Sequence, residues 1–378
     1  MIYEIPLFEL NFDQAEEKAV AEAVRSGWIS MGPRTAKLER RFARELGGRH
    51  VVAVGSGTAA LHLALAGTID PGDEVIVPAL TFVATANAIR YAGGRPVFAD
   101  IVSDEEPCLD PEDVAKRITP RTRAILAVHY GGFVRRMDEL AELARTHGLT
   151  LLEDAAHAPL TGHGAHRAGT FGRAACFSFF SNKVISCAEG GLLATEDKAL
   201  ASRARLMRSH GMTTLSYDRA RGHATGYDVV ELGYNYRLDD IRAALALVQL
   251  DKLPGEVRRR NRVRQWYEDR LAAVAGIVIP FAGHTETSSQ YIFPIVLGEG
   301  GAAHREAVRR RMAERGIQTS VHYPPVHQFS FYREVGAELP RTEGYAQREI
   351  TLPMYGNLTE SQVDRIVEAL SRALEPSS

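Results

Sequence analysis

The sequence predicts an α/β protein: a mainly parallel sheet covered by helices on both faces, followed by a smaller α+β unit. Three observations point there. Between residues 50 and about 200, short apolar runs alternate with amphipathic stretches, the pattern of strand–helix–strand units in a parallel sheet. Pro254-Gly255 then interrupts a helical pattern, and a basic helix with scattered strands follows. Finally, 378 residues exceed one compact core, since domains run to roughly 100–200 residues. The expected division is therefore 1–253, an N-terminal segment and large domain, and 254–378, a small C-terminal α+β domain.

Element by element, residues 51–54 form a continuous apolar run and read as a buried strand, and residues 58–66 as the helix after it. Strand 74–78 and helix 82–91 repeat the unit, and 95–100 is a third strand. Residues 124–129 and 150–153 are two more, separated by a helix over 137–147. Residues 175–180 and 191–195 complete the series. Ile241, Leu245, Val248 and Leu253 recur at helical spacing over 239–253, which predicts a helix ending at Pro254-Gly255. Beyond it, helices are expected over 256–275, 304–315 and 359–374, and strands over 291–297 and 317–321. The Gly-rich stretch 298–301 reads as a turn.

Composition excludes several classes. With 45% hydrophobic and 24% charged residues, the chain is neither disordered nor fibrous. A net charge of −2 gives no basic field, so nucleic acid is not an expected partner. The densest basic run, Arg258, Arg259, Arg260, Arg262 and Arg264, is diluted by Glu268 and Asp269 and reads as a solvated helix face. Cysteines 108, 176 and 187 are odd in number and unpaired by spacing, which fits a reducing, cytoplasmic location. Cys187 reads as a small packing residue. Glu4 and Glu9 interrupt any leader-like N-terminus, and no apolar stretch approaches about 18 residues, so no membrane span is expected. His157, His163 and His166 lack a matching carboxylate or cysteine set, and no metal is expected.

Three segments carry chemistry. Gly55-Ser56-Gly57-Thr58-Ala59-Ala60 follows a strand and opens a helix. Such a turn offers N–H groups and a helix dipole to an anion. Position 60 is alanine, so the third glycine of a dinucleotide fingerprint is missing. Leu151-Leu152-Glu153-Asp154-Ala155-Ala156-His157 ends a buried strand in two carboxylates and a histidine, at the edge where open sheets bind ligands. A carboxylate there can hold a protonated ring nitrogen or cap the next turn. Phe177-Ser178-Phe179-Phe180-Ser181-Asn182-Lys183 then places a lysine just past a buried strand. A lysine partly withdrawn from water is suited to forming an imine. Each segment alone has a structural explanation. In this order, with 29 residues (183 − 154) between Asp154 and Lys183, they supply a phosphate cradle, a pyridinium partner and an imine lysine, the three needs of a pyridoxal phosphate site.

The chain resembles the DegT/DnrJ/EryC1/StrS family of sugar aminotransferases over nearly its whole length. The resemblance is carried by Ser26-Gly27-Trp28-Ile29-Ser30-Met31-Gly32-Pro33, the Gly55–Leu61 turn and Pro78-Ala79-Leu80-Thr81-Phe82. It continues through Glu153-Asp154-Ala155-Ala156-His157, Phe177-Ser178-Phe179 with Lys183, and Glu189-Gly190-Gly191. Further markers are Gly233-Tyr234-Asn235-Tyr236-Arg237, Val321-His322-Tyr323-Pro324-Pro325 and Leu352-Pro353.

The resemblance implies the fold of type I pyridoxal phosphate enzymes, with a seven-stranded sheet, and homodimers with shared sites. It implies that Gly57, Thr58 and Ser178 hold the cofactor phosphate, with Ala59 a cofactor contact in the same turn. Phe82 would stack on the ring, Asp154 would pair with its nitrogen, and His157 would lie near its hydroxyl. Lys183 would carry the cofactor and shuttle the α-proton. Asn235 would reach the phosphate in the neighbouring subunit, and Trp28, Ser30, Glu189, His322 and Tyr323 would line the substrate pocket. Tyr234 and Tyr236 read as packing. After the lysine, the family often has Lys-Asn-Leu-x-x-Gly-Glu-Gly-Gly. Here Val184-Ile185 and Ala188 depart from it, which bears on substrate choice more than on the cofactor. Relatives with histidine in place of the lysine dehydrate their substrate, so Lys183 favours transamination. The implied reaction moves an amino group from glutamate or glutamine to a keto-sugar, nucleotide-linked, in amino-sugar or antibiotic biosynthesis. A keto-cyclitol or another keto metabolite is the alternative acceptor. A non-catalytic pyridoxal-phosphate-binding regulator is the alternative class; it would want an appended helix-turn-helix or basic module, and the sequence gives no sign of one.

Overall fold

The computed structural model describes residues 3–163, 166–214, 226–284 and 288–375. Two helices lead in, α1 (Gln14–Arg25) and α2 (Pro33–Glu45). The first half of the large unit contains β1 (His50–Val54), α3 (Gly57–Ala66), β2 (Glu74–Pro78), α4 (Val83–Tyr91), β3 (Arg95–Ala99), α5 (Pro111–Arg117) and β4 (Thr122–Val128). It continues with α6 (Met137–His147), β5 (Thr150–Asp154), a two-stranded hairpin of β6 (Gly162–His163) and β7 (His166–Arg167), β8 (Ala174–Ser178), β9 (Gly191–Thr195) and α7 (Lys198–Met207). The rest comprises α8 (Asp240–Leu271), β10 (Ile277–Val278), β11 (Phe293–Leu297), α9 (Ala302–Ala313), α10 (Pro340–Arg348), β12 (Glu349–Leu352) and α11 (Glu360–Leu374).

Seven strands form one sheet in the order β1-β9-β8-β5-β4-β2-β3. The run from β8 to β3 is parallel throughout, whereas β9 is antiparallel to both β1 and β8. Side chains alternate across the sheet, so Val51, Ala53, Ile76, Ile125 and Leu151 face one core. Val52, Val54, Val75, Leu126 and Leu152 face the other. α2 and α6 cover the first face, and α3, α4 and α7 the second. α3 is buried on nearly all sides, as its Ala-Leu composition requires. A third core joins β11, β12, α9, α11, the end of α8 and Ile5. The N-terminal strap is therefore docked on the second unit, with the Glu4 and Ile5 N–H groups donating to Gly316 O.

Three sequence expectations change. Pro254-Gly255 does not end a helix, because α8 runs unbroken for 32 residues with Pro254 inside and the 253/254 division within it. Residues 317–321 contribute only isolated bridges, Ile317 to Ile5 and Ser320 to Thr351, and the strand beside β11 is β12. The basic run is not wholly solvated. Arg260 and Arg264 are buried, with Arg260 bonded to Glu256 at 2.7 Å and Arg264 to Glu268 at 2.8 Å. No described helix is long and apolar enough to cross a membrane.

Candidate active site

The C-terminal ends of β5 and β8, the start of α3, the loop after β2 and residues 320–323 enclose a cavity of about 510 Å³. At its floor, Ser56 Oγ accepts the Ala59 N–H at 3.1 Å and caps α3. A Cβ on Gly57 would lie 2.8 Å from Ser178 Cβ. Glycine thus lets the first turn of α3 sit against the end of β8. That turn presents the positive end of a helix dipole to the cavity, with Thr58 and Ser178 on the wall.

β5 delivers two carboxylates, and the alternation of strand side chains separates them. Glu153 is fully buried away from the cavity. It accepts N–H groups from Gly169, Phe171 and Gly172 at 2.7–2.9 Å and bonds His129 Nε2 at 2.9 Å. Burial alone would raise its carboxyl, but the His129 contact and these N–H groups hold it below the usual range. Asp154 faces the cavity. Its Oδ2 accepts the Thr85 hydroxyl at 2.8 Å and its Oδ1 the Ala156 N–H at 3.1 Å. Burial nonetheless raises this carboxyl, against the pull of those donors and of the Lys183 charge. The difference between the two acids is one of partners, and among the described residues no ion pair reaches Asp154.

Lys183 closes a turn after β8, its N–H donating to Phe180 O at 2.9 Å. Its Nζ lies 4.1 Å from the Tyr291 ring centroid, a distance at which a ring face attracts an ammonium. Its charge reaches Asp154, His157 and His322. His157 is driven well below its usual range, first by burial and then by the charge of Lys183, so its imidazole is neutral. Its Nε2 is 3.0 Å from the Tyr323 hydroxyl. Phe82, 57% exposed, leans over the opening with its centroid 5.9 Å from that of Tyr323.

The cavity brings together Gly57, Thr58, Phe82, Asp154, His157, Ser178, Lys183, Glu189, His322 and Tyr323. Ala59 is buried behind the wall with its N–H spent on the cap. Asn235 and Ser30 are exposed and Trp28 half-buried, all outside this cavity. Tyr234 and Tyr236 stack with centroids 4.9 Å apart beside His62. Cys187 is buried, its thiol pushed up to about 12 by burial. Sequence reasoning missed Thr85, Asn182 and Tyr291. Thr85 follows Thr81 by one helical turn, a weak signal, and Tyr291 had none. Among the described residues no group of His, Cys, Asp and Glu is arranged for a metal, and the His163 side chain lies outside them.

The mostly parallel seven-stranded sheet places the chain in the aminotransferase class, whose solved members share the fold. The chain belongs to the DegT/DnrJ/EryC1/StrS aminotransferase family, matching it over residues 11–371. It is 37% identical to the spore coat polysaccharide biosynthesis protein SpsC of Bacillus subtilis, across 97% of this chain and 95% of that one. It superposes with a TM-score of 0.92 on Helicobacter pylori PseC, an aminotransferase involved in pseudoaminic acid biosynthesis, at 29% identity over 98% and 99% of the two chains. Streptococcus pneumoniae Spr1654, solved in its PLP form, gives 0.90 at 28% identity over 98% of each chain. The family and this last structure point to pyridoxal phosphate as the cofactor.

Proposed function

We propose that the chain transfers an amino group from glutamate or glutamine to a nucleotide-linked keto-sugar, with pyridoxal phosphate in the cavity. The observation that carries this reading is that Lys183 and Asp154 line the same cavity. The residues present fit the group. His157 Nδ1 and Asn182 Oδ1 are buried at the cavity without a hydrogen-bond partner among the described residues, and such orphans call for a ligand. The space a Cβ would fill at Gly57 leaves backbone beside Ser178 for a phosphate, and Asp154 has room in its charge balance for a ring N–H⁺.

When bound, pyridoxal phosphate supplies the electron sink that makes the α-carbon acidic. The protein's own residues do the rest. The start of α3, Thr58 and Ser178 would hold the phosphate. Asp154 would keep a proton on the ring nitrogen, and neutral His157 would meet the ring hydroxyl. Lys183 Nζ removes the proton from the amino donor's α-carbon and delivers one to the acceptor carbon that receives nitrogen. The Tyr291 ring face steadies that ammonium between transfers. SpsC and PseC carry names from polysaccharide and amino-sugar biosynthesis, which supports a sugar acceptor. Asn235, Trp28 and Ser30 lie outside the cavity of one chain, which supports a homodimer whose sites draw on both subunits.

Borohydride reduction of the holoenzyme followed by peptide mass mapping is expected to find the pyridoxyl group on Lys183. K183A is expected to lose at least 10²–10⁴ in turnover, the usual worth of a positioned acid–base group. Formation of 2-oxoglutarate from glutamate, across a panel of nucleotide keto-sugars and keto-cyclitols, identifies the acceptor. Label on another lysine, or wild-type turnover in K183A, overturns the site. Turnover confined to keto-cyclitols replaces the acceptor, and no turnover with any acceptor from either donor, read as 2-oxoglutarate from glutamate or 2-oxoglutaramate from glutamine, overturns the proposed transfer.

A further inference from the structure

The cavity wall at residues 320–323 is wired to a carboxyl group outside the cavity. Glu349, the first residue of β12, is fully buried. Its Oε2 accepts the His322 N–H at 2.9 Å, and its Oε1 is 2.5 Å from Thr351 Oγ1. Thr351 Oγ1 lies in turn 2.8 Å from His322 Nδ1. Paired backbone bonds between Ser320 and Thr351 tie the same segment to β12. His322 lines the cavity, and no hydrogen bond among the described residues reaches its Nε2.

One hydroxyl has one hydrogen to give, so the three side chains admit two arrangements. With Glu349 ionised, Thr351 donates to it, Nδ1 of His322 must donate to Thr351, and Nε2 offers the cavity a lone pair. With a proton on Oε1, Glu349 donates to Thr351, Thr351 donates to Nδ1, and Nε2 offers an N–H. Three hydrogens are held in the second arrangement and two in the first, and the difference is one proton released to solvent. We infer that Thr351 and Glu349 are positioning residues that set, through this relay, whether His322 meets the substrate as a hydrogen-bond donor or acceptor.

The surroundings suit such a relay. Burial raises the Glu349 carboxyl to about 8, against the bonds from Thr351 and His322 and the charges of Arg305 and Arg309 in α9. Burial, helped by Lys183, lowers His322 to about 3, so the ring is neutral in both arrangements. The other titratable groups near Glu349 are Tyr130, Tyr323 and Tyr345, all pushed well above their usual range by burial and thus uncharged throughout. His157 and Tyr291 complete the neighbourhood of His322. As a donor, Nε2 suits the carboxylate of an amino-acid donor. As an acceptor, it suits a sugar hydroxyl.

The substrate side of this inference rests on the proposed function, but the relay itself is read without substrate. In ¹⁵N-histidine-labelled holoenzyme, with His322 assigned by comparison with H322Q, Nε2 is expected to carry the proton below about pH 8 and Nδ1 above it. E349Q, which cannot ionise and keeps an N–H for Thr351, is expected to hold the Nε2–H form on both sides. T351V should abolish the pH response and T351S restore it, which keeps the test decisive if E349Q fails to fold. In steady state, KM for the amino donor should rise severalfold across the same pH range in wild type and T351S, and stay flat in E349Q. A wild-type tautomer indifferent to pH, or a T351V protein that titrates like wild type, overturns the relay. A tautomer change without any change in KM overturns the positioning role. A holoenzyme with no aminotransferase turnover defeats the proposed function and leaves the tautomer measurement readable, so the two failures are distinct.

Discussion

Asp154 is held by a chain of hydroxyls. Thr85 spends its single hydrogen on Asp154 at 2.8 Å, so the 2.8 Å contact between Thr81 and Thr85 has Thr81 as donor. Both hydrogens run toward the carboxylate and favour its ionised form. A hydrogen bond to a charged group is worth about 1.5–3 kcal/mol. T85V removes one and leaves burial, the largest influence on this carboxyl, to push it further up. The expected outcome is cofactor affinity weakened roughly tenfold or more, restored in T85S, with spectrophotometric titration of the apoprotein as the measurement. An unchanged Kd in T85V would show that Asp154 needs no help. Lys183 and Asp154 were legible in the sequence because strand ends and their order mark them. Thr85 was not, since a threonine inside an ordinary helix signals nothing until the carboxylate it serves has a place. Ala188 lay between these cases. Its departure from the family's glycine was visible, but its conformational cost was not, for it adopts φ +69°, a left-handed backbone that glycine takes more cheaply.

At the scale of elements, α8 shows how packing overrides a local breaker. Proline removes one helical N–H, yet contacts on both sides of Pro254 fasten the helix to the N-terminal segment. Lys252 pairs with Glu16 at 2.7 Å, Gln249 reaches Glu16 at 2.8 Å, and Asn11 donates to Glu256 at 3.0 Å. Periodicity found this helix, but its continuity depends on partners more than 200 residues away in sequence, which no local window contains. Its arginines, too, are placed by the surrounding fold. Arg264 is fully buried, donates to Pro280 O at 2.8 Å, and lies 4.9 Å from the Phe133 ring centroid. It joins α8 to the first core and to the segment between β10 and β11. R264A leaves Glu268 and a backbone carbonyl without their cation, and breaking a buried pair typically costs about 3–5 kcal/mol. The urea midpoint should fall accordingly, with R258A, on the exposed face, as the control that leaves it in place. Equal midpoints in the two variants would mean that Arg264 is as solvated as its charge first suggested.

At the scale of the molecule, the cavity is closed by parts far apart in the chain: the start of α3, the ends of β5 and β8, and residues 320–323 from the second unit. The alternation of strands and helices made the large sheet readable, because each unit is local. The second unit was less so, since β12 is only four residues long and is specified by β11 beside it. Asn235 is exposed and lies outside the cavity of its own chain. If it serves the site of a second copy, a twofold dimer carries two sites, each using Lys183 of one subunit and Asn235 of the other. K183A and N235A proteins should then each be impaired alone. Mixed and re-equilibrated, they should form heterodimers with one site lacking both residues and one site intact, so activity should return to about a quarter of wild type. Size-exclusion chromatography with light scattering fixes the dimer, and turnover of the mixture reads the complementation. Activity no greater than the sum of the separate variants would confine each site to a single chain and leave Asn235 to its bridge with Ser209.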